Sequence, residues 1–228
     1  MELAQNESIR VLVVDDHEIV RRGLLAFLDS EPDIDVVGEA GGGPEALDLL
    51  ASMDAEGRRP DVIVMDLQMA PIDGIESTRQ VRARYDDIEV VALTSFAEEE
   101  RVAAALQAGA SGYVLKDSDA DDVAAAVRAA HRGELQIDPG VARRLMSSLQ
   151  TRRDDAAISE LTSRELDVLR LVASGEPNKQ IATKLAISER TARTHVSRIL
   201  RKLRLSSRTQ AALWAVGEGL VEVEREPH

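Results

Sequence analysis

IRVLVVDDHEIVRRGLLAFLDS, residues 9–30, holds the decision about the fold. Its VLVV segment lacks polar alternation, the pattern of a strand covered on both faces. Two acids, Asp15 and Asp16, follow at once, and from about residue 17 to 29 the apolar positions take a helical period. The same strand-then-helix unit recurs down the chain. Strands are expected at Ile9–Val14, Asp35–Gly38, Val62–Met65, Val90–Leu93 and Gly112–Leu115, with amphipathic stretches at about 17–29, 44–53, 73–84, 98–108 and 119–132. Five such units in series predict an α/β fold with a doubly wound parallel sheet and right-handed crossovers.

The chain has 228 residues, 44% of them hydrophobic and 30% charged, enough for two domains with buried cores. Its apolar runs are too short to span a bilayer, and the acidic segment Met1–Glu7 does not resemble a signal peptide. With no cysteine, a disulfide framework, thiolate metal sites and cysteine catalysis are excluded. The reading is of a soluble, cytoplasmic chain without a membrane partner.

The formal net charge of -13 argues at first against nucleic acid, but the average conceals a division. Residues 1–140 carry 30 acids and 12 bases, whereas residues 141–228 carry 11 acids and 16 bases. Between Pro177 and Arg208 there are nine bases and one acid, Glu189. Such asymmetry suggests an acidic domain joined to one that binds a polyanion.

Residues 133–160 read as a linker. Asp138-Pro139 supplies an N-cap and a first-turn proline, so a short helix to about Gln150 is expected, and the following TRRDDAAIS should be flexible. From Leu161 the pattern is wholly helical. Thr162 and Glu165 form a capping box and Leu161 and Leu166 a hydrophobic staple. Further helices are expected at about Asn178–Leu185, Ser188–Leu203 and Ser207–Val216, followed by a frayed tail. Ala186-Ile187-Ser188 has the spacing of a helix-turn-helix.

In an open parallel sheet, chemistry collects outside the carboxyl ends of the strands. Those ends carry Asp15 and Asp16, Asp66, Thr94 and Ser95, and Lys116. Converging carboxylates repel unless a cation sits among them, and Mg²⁺ suits hard oxygen ligands. Lys116 adds a compact positive charge suited to a phosphoryl oxygen, and Thr94 a small hydroxyl donor. A dinucleotide fold would need GxGxxG where this chain has DDHEIV.

VLVVDDHEIV, VIVMDLQMAPIDG, VVALTS and GYVLKD together resemble the receiver domain of two-component response regulators over residues 8–132. The resemblance implies a flavodoxin-like (βα)5 domain in which Asp66 accepts a phosphoryl group from a sensor histidine kinase. It further implies that Asp15, Asp16, Asp66 and the backbone carbonyl of Gln68 hold Mg²⁺, that Lys116 pairs with the phosphoryl group, and that Thr94 and Tyr113 form a switch pair. No enzymatic activity is implied beyond phosphorylation and dephosphorylation of Asp66 itself. A haloacid-dehalogenase-like phosphatase would carry a second Asp where this chain has Gln68. Two features depart from the receiver pattern. Met69-Ala70-Pro71 shifts the usual proline by one residue, and Gly41–Gly43 suggests a looser start to the second helix.

Along Ser188–Leu203, Ala192, Val196, Ile199 and Leu203 form an inward stripe at helical spacing, and the other face carries Arg190, Arg193, Thr194, Ser197 and Arg201. A rod of roughly 24 Å fits a major groove about 12 Å wide. Arg193 is the best candidate for bridging guanine O6 and N7, and Thr194 and Ser197 are small enough to approach bases. Lys179, Arg190, Arg201, Lys202 and Arg208 more plausibly meet phosphates. RNA is disfavoured, because aromatic residues are only 2% of the chain.

LTSRELDVLRLVASGEPNKQIATKLAISERTARTHVSRILRKLRLSSRTQAAL closely resembles the LuxR-type helix-turn-helix, and its continuity with a receiver resembles the NarL/FixJ subfamily of transcriptional regulators. The organisation expected is therefore a receiver at 8–132, a linker at 133–160 and a four-helix DNA-binding domain at 161–217. The implied partners are double-stranded DNA, a sensor histidine kinase and a second copy of the chain in a phosphorylated homodimer. Two other readings stand beside this one: a phosphorylation-controlled interaction protein, and a constitutive DNA binder that does not use Asp66.

Overall fold

A computed structural model of the chain describes residues 8–95, 99–134 and 161–221. The expected linker helix, the segment TRRDDAAIS and the part of the expected frayed tail EGLVEVEREPH beyond Val221 lie outside these residues. The start of that tail is held, not frayed, the Glu218 and Leu220 amides donating to the Trp214 and Ala215 carbonyls at 2.9 and 3.0 Å. Five parallel strands, β1 (Ile9–Val14), β2 (Ile34–Ala40), β3 (Val62–Asp66), β4 (Glu89–Thr94) and β5 (Gly112–Leu115), form one sheet in the order β2-β1-β3-β4-β5. Strand β2 outruns the expected 35–38 because Ile34 and Ala40 pair with Ile9 and Val14 across the edge. Its Gly38 and Glu39 hid that length from a reading based on apolar runs.

Helices α1 (Glu18–Leu28) and α5 (Ala120–Arg132) cover one face, and α2 (Gly43–Ala55), α3 (Gly74–Arg84) and α4 (Glu99–Ala108) the other. Alternate residues of one strand feed opposite layers. Val11, Val13, Val62 and Val64 pack with Leu28, Val123 and Val127, whereas Leu12, Val14, Ile63 and Met65 pack with Leu47, Leu50 and Val81. Burial on both faces is why these strands read as continuous apolar runs.

The start of α2 is closely packed, not loose. Helix α2 begins at Gly43, and a Cβ there would lie 2.0 Å from the Ser77 hydroxyl of α3. The glycine lets the two helices approach.

The C-terminal helices are α6 (Ser163–Ala173), α7 (Asn178–Leu185), α8 (Glu189–Leu203) and α9 (Arg208–Gly217). They enclose a separate core containing Leu161, Leu169, Ile181, Ala192, Val196, Ile199, Leu203 and Trp214, so the expected inward stripe of α8 is buried as read. Ala186 turns the chain between α7 and α8 in the left-handed region, and the Ser188 hydroxyl then accepts the Thr191 amide at 3.0 Å. Among the described residues no helix is long and apolar enough to cross a membrane.

The capping box at α6 is complete: Glu165 accepts the Thr162 amide at 2.8 Å and Thr162 Oγ1 accepts the Glu165 amide at 3.3 Å. The same carboxylate takes Lys202 of α8 at 2.7 Å, tying two helices together. Burial works against the Glu165 charge, but Lys202 and Thr162 outweigh it and hold the carboxyl down at about 2, against an ordinary 4.5. A carboxyl depressed on folding stabilises the fold fully above its unfolded pKa, and that stabilisation is lost as pH falls through the folded one. Glu165→Gln is therefore expected to lower the stability of the helical domain by about 1–3 kcal/mol at neutral pH. In acid the difference from the unmodified chain should shrink between about pH 4.5 and pH 2, which thermal melts across that range will read.

Candidate acidic pocket and nucleic-acid interface

Strands β1 and β3 are neighbours and β5 lies one strand beyond, across β4, yet each delivers one group to the same hollow. Asp15 follows β1, Asp66 closes β3 and Lys116 follows β5. Asp15 and Asp66 are fully buried, and Lys116 Nζ lies 2.7 Å from a carboxylate oxygen of each. Burial pushes the Asp66 carboxyl above its ordinary range against the pull of Lys116 and the Gln68 amide, which donates to Oδ1 at 3.0 Å. For Lys116, burial disfavours the charge, yet the two carboxylates prevail and raise its pKa. One ammonium is thus shared between two buried carboxylates, with Asp16 at the rim as a third.

Asp15, Asp16, His17 and Asp66 each offer a ligand atom, all within 4.8 Å of one another. His17, which the sequence reading passed over, sets Nδ1 2.8 Å from Asp16, and its amide donates to Asp15 Oδ1 at 2.7 Å. Its place directly after two site acids was the available signal. The displaced proline sits in a loop whose Ala70 amide donates to Asp16 Oδ2 at 3.3 Å, so the altered segment closes onto the pocket. Thr94, at the end of β4, is fully buried, and Tyr113 of β5 packs against the core under α4.

The second set of expected residues lies at the far end of the sheet. On α8, Arg190, Thr194 and Arg201 are exposed, and Arg193 and Ser197 are half-buried. These five line a cleft of about 1220 Å³ whose opposite wall carries Asp35, Asp54, Asp61, Asp86 and Asp87, at the amino ends of the strands. Arg193 reaches the carbonyl of His131 at the end of α5, at 3.5 Å. Burial, with Arg193 beside it, holds the His131 imidazole below its usual range. Lys179 is exposed on α7. Lys202 is committed to Glu165.

Arg208 stands apart from the other expected phosphate contacts. It is buried, it donates to Asn178 Oδ1 at 2.9 Å and to the Glu176 carbonyl, and burial pulls its pKa down to about 10. In this arrangement its guanidinium pins α9 to the start of α7 and does not face solvent.

Comparison with known proteins agrees with both halves. Residues 11–128 match the family described as response regulator receiver domain, and residues 159–215 match the bacterial regulatory proteins of the luxR family. The chain is 45% identical over 214 residues to the transcriptional regulatory protein LiaR of Bacillus subtilis, covering 93% of this chain and 99% of that protein. It is 41% identical to the response regulator protein VraR of Staphylococcus aureus, covering 94% of this chain and all of VraR. Among solved structures, the two-component response regulator RcsB in complex with DNA is similar at 25% identity and a TM-score of 0.52, over 92% of this chain and 99% of that one. An acid-lined pocket closing a five-stranded parallel sheet, a basic helix-turn-helix behind it and relatives matched over nearly their full length have one account: the chain belongs to the response regulators, as a two-component transcriptional regulator whose receiver domain precedes a luxR-type DNA-binding domain.

Proposed function

We propose that Asp66 accepts a phosphoryl group from a sensor histidine kinase in the cytoplasm, and that this modification governs binding of α8 to double-stranded DNA. The observation that carries the reading is the pair of 2.7 Å contacts from Lys116 to Asp15 and Asp66 in a buried pocket. A buried carboxylate held by a lysine and a backbone amide is oriented as a nucleophile and lies beside the cation its product needs. In the transfer, an Asp66 oxygen bonds to phosphorus while the bond from phosphorus to the donor imidazole nitrogen breaks. The imidazole leaves with that electron pair, and the product is an aspartyl phosphate. Lys116 then pairs with the phosphoryl oxygens, and the Thr94 hydroxyl donates to one of them.

The donor set fits a hard divalent cation: three carboxylates within 4.8 Å, when His17 is set aside, face a single ammonium. Asp15, Asp16, Asp66 and the Gln68 carbonyl would hold Mg²⁺, which supplies neutralising charge for the phosphoryl oxygens. Movement of Thr94 toward the phosphoryl group frees space for Tyr113 to turn inward and shifts the surface around β4 and α4.

On the output side, Arg193, Thr194 and Ser197 read base edges, and Lys179, Arg190, Arg201 and, once it leaves Glu165, Lys202 meet phosphates. Arg208 would join them only once its burial is relieved. Two copies joined after phosphorylation would place two α8 helices on paired half-sites. The cleft supports an autoinhibited resting state. The reading face of α8 shares one hollow with five receiver aspartates, whose charge repels a phosphate backbone.

The test is a comparison of three samples on duplex fragments of the source genome: the intact chain, the intact chain treated with acetyl phosphate and Mg²⁺, and the separated helical domain. The treated chain is expected to gain the mass of one phosphoryl group, and both it and the separated domain should bind more tightly than the untreated chain. Affinity should drop steeply with salt, by roughly tenfold or more from 50 to 200 mM. Tight binding by the untreated chain would instead favour a constitutive DNA binder, and a flat salt response would remove α8 from the groove.

A further inference from the structure

The helical domain is fastened to the receiver at a place that neither the acidic pocket nor the cleft includes. At the turn between α8 and α9, the Ser206 carbonyl accepts Arg82 Nε of α3 at 2.9 Å. Arg82 is itself buried and donates also to the Ile88 carbonyl. Receiver and turn meet so closely that a Cβ on Gly109 would lie 2.8 Å from the Ser206 carbonyl. The central contact is Gln210 of α9, only 5% exposed. Its Nε2 donates to the carbonyls of Leu106 and Gln107 in the last turn of α4, at 3.0 and 2.9 Å, and its Oε1 accepts the Ser206 amide at 2.9 Å.

A helix leaves its last carbonyls without partners of its own. Here two of those of α4, Leu106 and Gln107, accept a side chain from the other domain, Leu106 in addition to the Gly109 amide at 3.1 Å. One turn further along α9, Leu213 packs against the cluster formed by Leu67, Ala92, Val102 and Leu106, in which Tyr113 also takes part. Leu67 directly follows Asp66, and Arg101 near the start of α4 lies 3.4 Å from the Leu67 carbonyl. Helix α4 is thus a ten-residue rod, roughly 15 Å long, with one end beside the phosphoacceptor loop and the other held by Gln210.

Resting on the proposed phosphorylation of Asp66, we propose that Gln210 is the latch of the closed state. Its carboxamide caps the C-terminal end of α4, and displacement of α4 after phosphorylation breaks the cap and frees α8 and α9 together. Hydrogen bonds are short-ranged, and a slide of about 1 Å carries a 2.9 Å contact beyond bonding distance. A small shift of the rod therefore has an all-or-none effect on the joint.

Two substitutions separate the latch from the local role of Gln210 in its own turn. Gln210→Glu keeps an oxygen for the Ser206 amide but sets a carboxylate against two carbonyls. Gln210→Lys loses that oxygen and keeps donors for the carbonyls. With duplex fragments of the source genome as probe, untreated full-length Gln210→Glu is expected to bind roughly tenfold more tightly than the untreated parent, and Gln210→Lys to stay within about twofold of it. The opposite order, no change in Gln210→Glu, or loss of its binding with and without acetyl phosphate would each overturn the latch. The parent chain keeps the two proposals apart. If acetyl phosphate leaves its affinity unchanged, the phosphorylation reading itself has failed, whereas a responsive parent with an indifferent Gln210→Glu variant rejects only the latch.

Discussion

Asp66→Asn protein, incubated with acetyl phosphate and Mg²⁺, is expected to gain no phosphoryl mass at all, while the parent gains one group. The amide has nearly the shape of the carboxylate it replaces, so β3 and the hydrogen bond to the Gln68 amide should persist. What disappears is the nucleophile. An amide oxygen carries no full negative charge, and the 2.7 Å ion pair with Lys116 is lost with it. The fold should tolerate the change, because Lys116 keeps Asp15 at 2.7 Å and one repelling carboxylate has gone. Burial already opposes the charged form of Asp66, so thermal stability should fall by no more than about 1 kcal/mol. Labelling that survived in this variant would place the acceptor elsewhere and end the reading of the pocket.

The second large effect is structural in origin. Gly74→Ala is expected to disable phosphoryl uptake nearly as fully as loss of Asp66, and to destabilise the receiver as well. A Cβ at residue 74 would stand 1.9 Å from the Asp66 carbonyl oxygen and 2.7 Å from the Leu67 Cα. Both neighbours are backbone, so no side-chain rotation relieves the collision. The Gly74 amide also donates to the Leu67 carbonyl at 3.2 Å, and the helix behind it is capped by Asp73, whose side chain accepts the Glu76 amide at 2.8 Å. The first turn of α3 therefore lies directly on the loop that carries Asp66. Overpacking of this kind costs typically 1–3 kcal/mol and moves backbone. Chemical denaturation should show a lowered midpoint, and the phosphodonor assay a loss greater than that destabilisation explains. Unchanged labelling would mean that the loop can shift without consequence for the nucleophile.

Much of this was legible beforehand, for a physical reason. Strands buried on both faces must be apolar throughout, so VLVV and VIVM announced β1 and β3 without ambiguity. The functional groups were equally open to reading, because sheet topology forces whatever follows each strand into one hollow. Gly38 and Glu39 obscured the end of β2, whose hydrogen bonds to β1 do not depend on side-chain polarity. The glycines at 41–43 looked like slack. Only the neighbouring helix shows that Gly43 is the one residue small enough beside Ser77. Arg208 illustrates a different limit. A base in a basic stretch counts toward a surface charge, yet this one turns inward to Asn178, because composition cannot say which way a side chain points. Gln210 and Arg82 carried no sequence signal, since across the joint they meet main-chain carbonyls of the other domain, more than a hundred residues away.

The acidic hollow opens at the carboxyl ends of the strands, whereas the helix-turn-helix is seated against their amino ends. On the proposed function, message received and message delivered therefore occupy opposite ends of one open sheet. Under that proposal a donor protein could approach and leave without jostling the reader, and the reader could engage DNA while its switch stays open to whatever resets it.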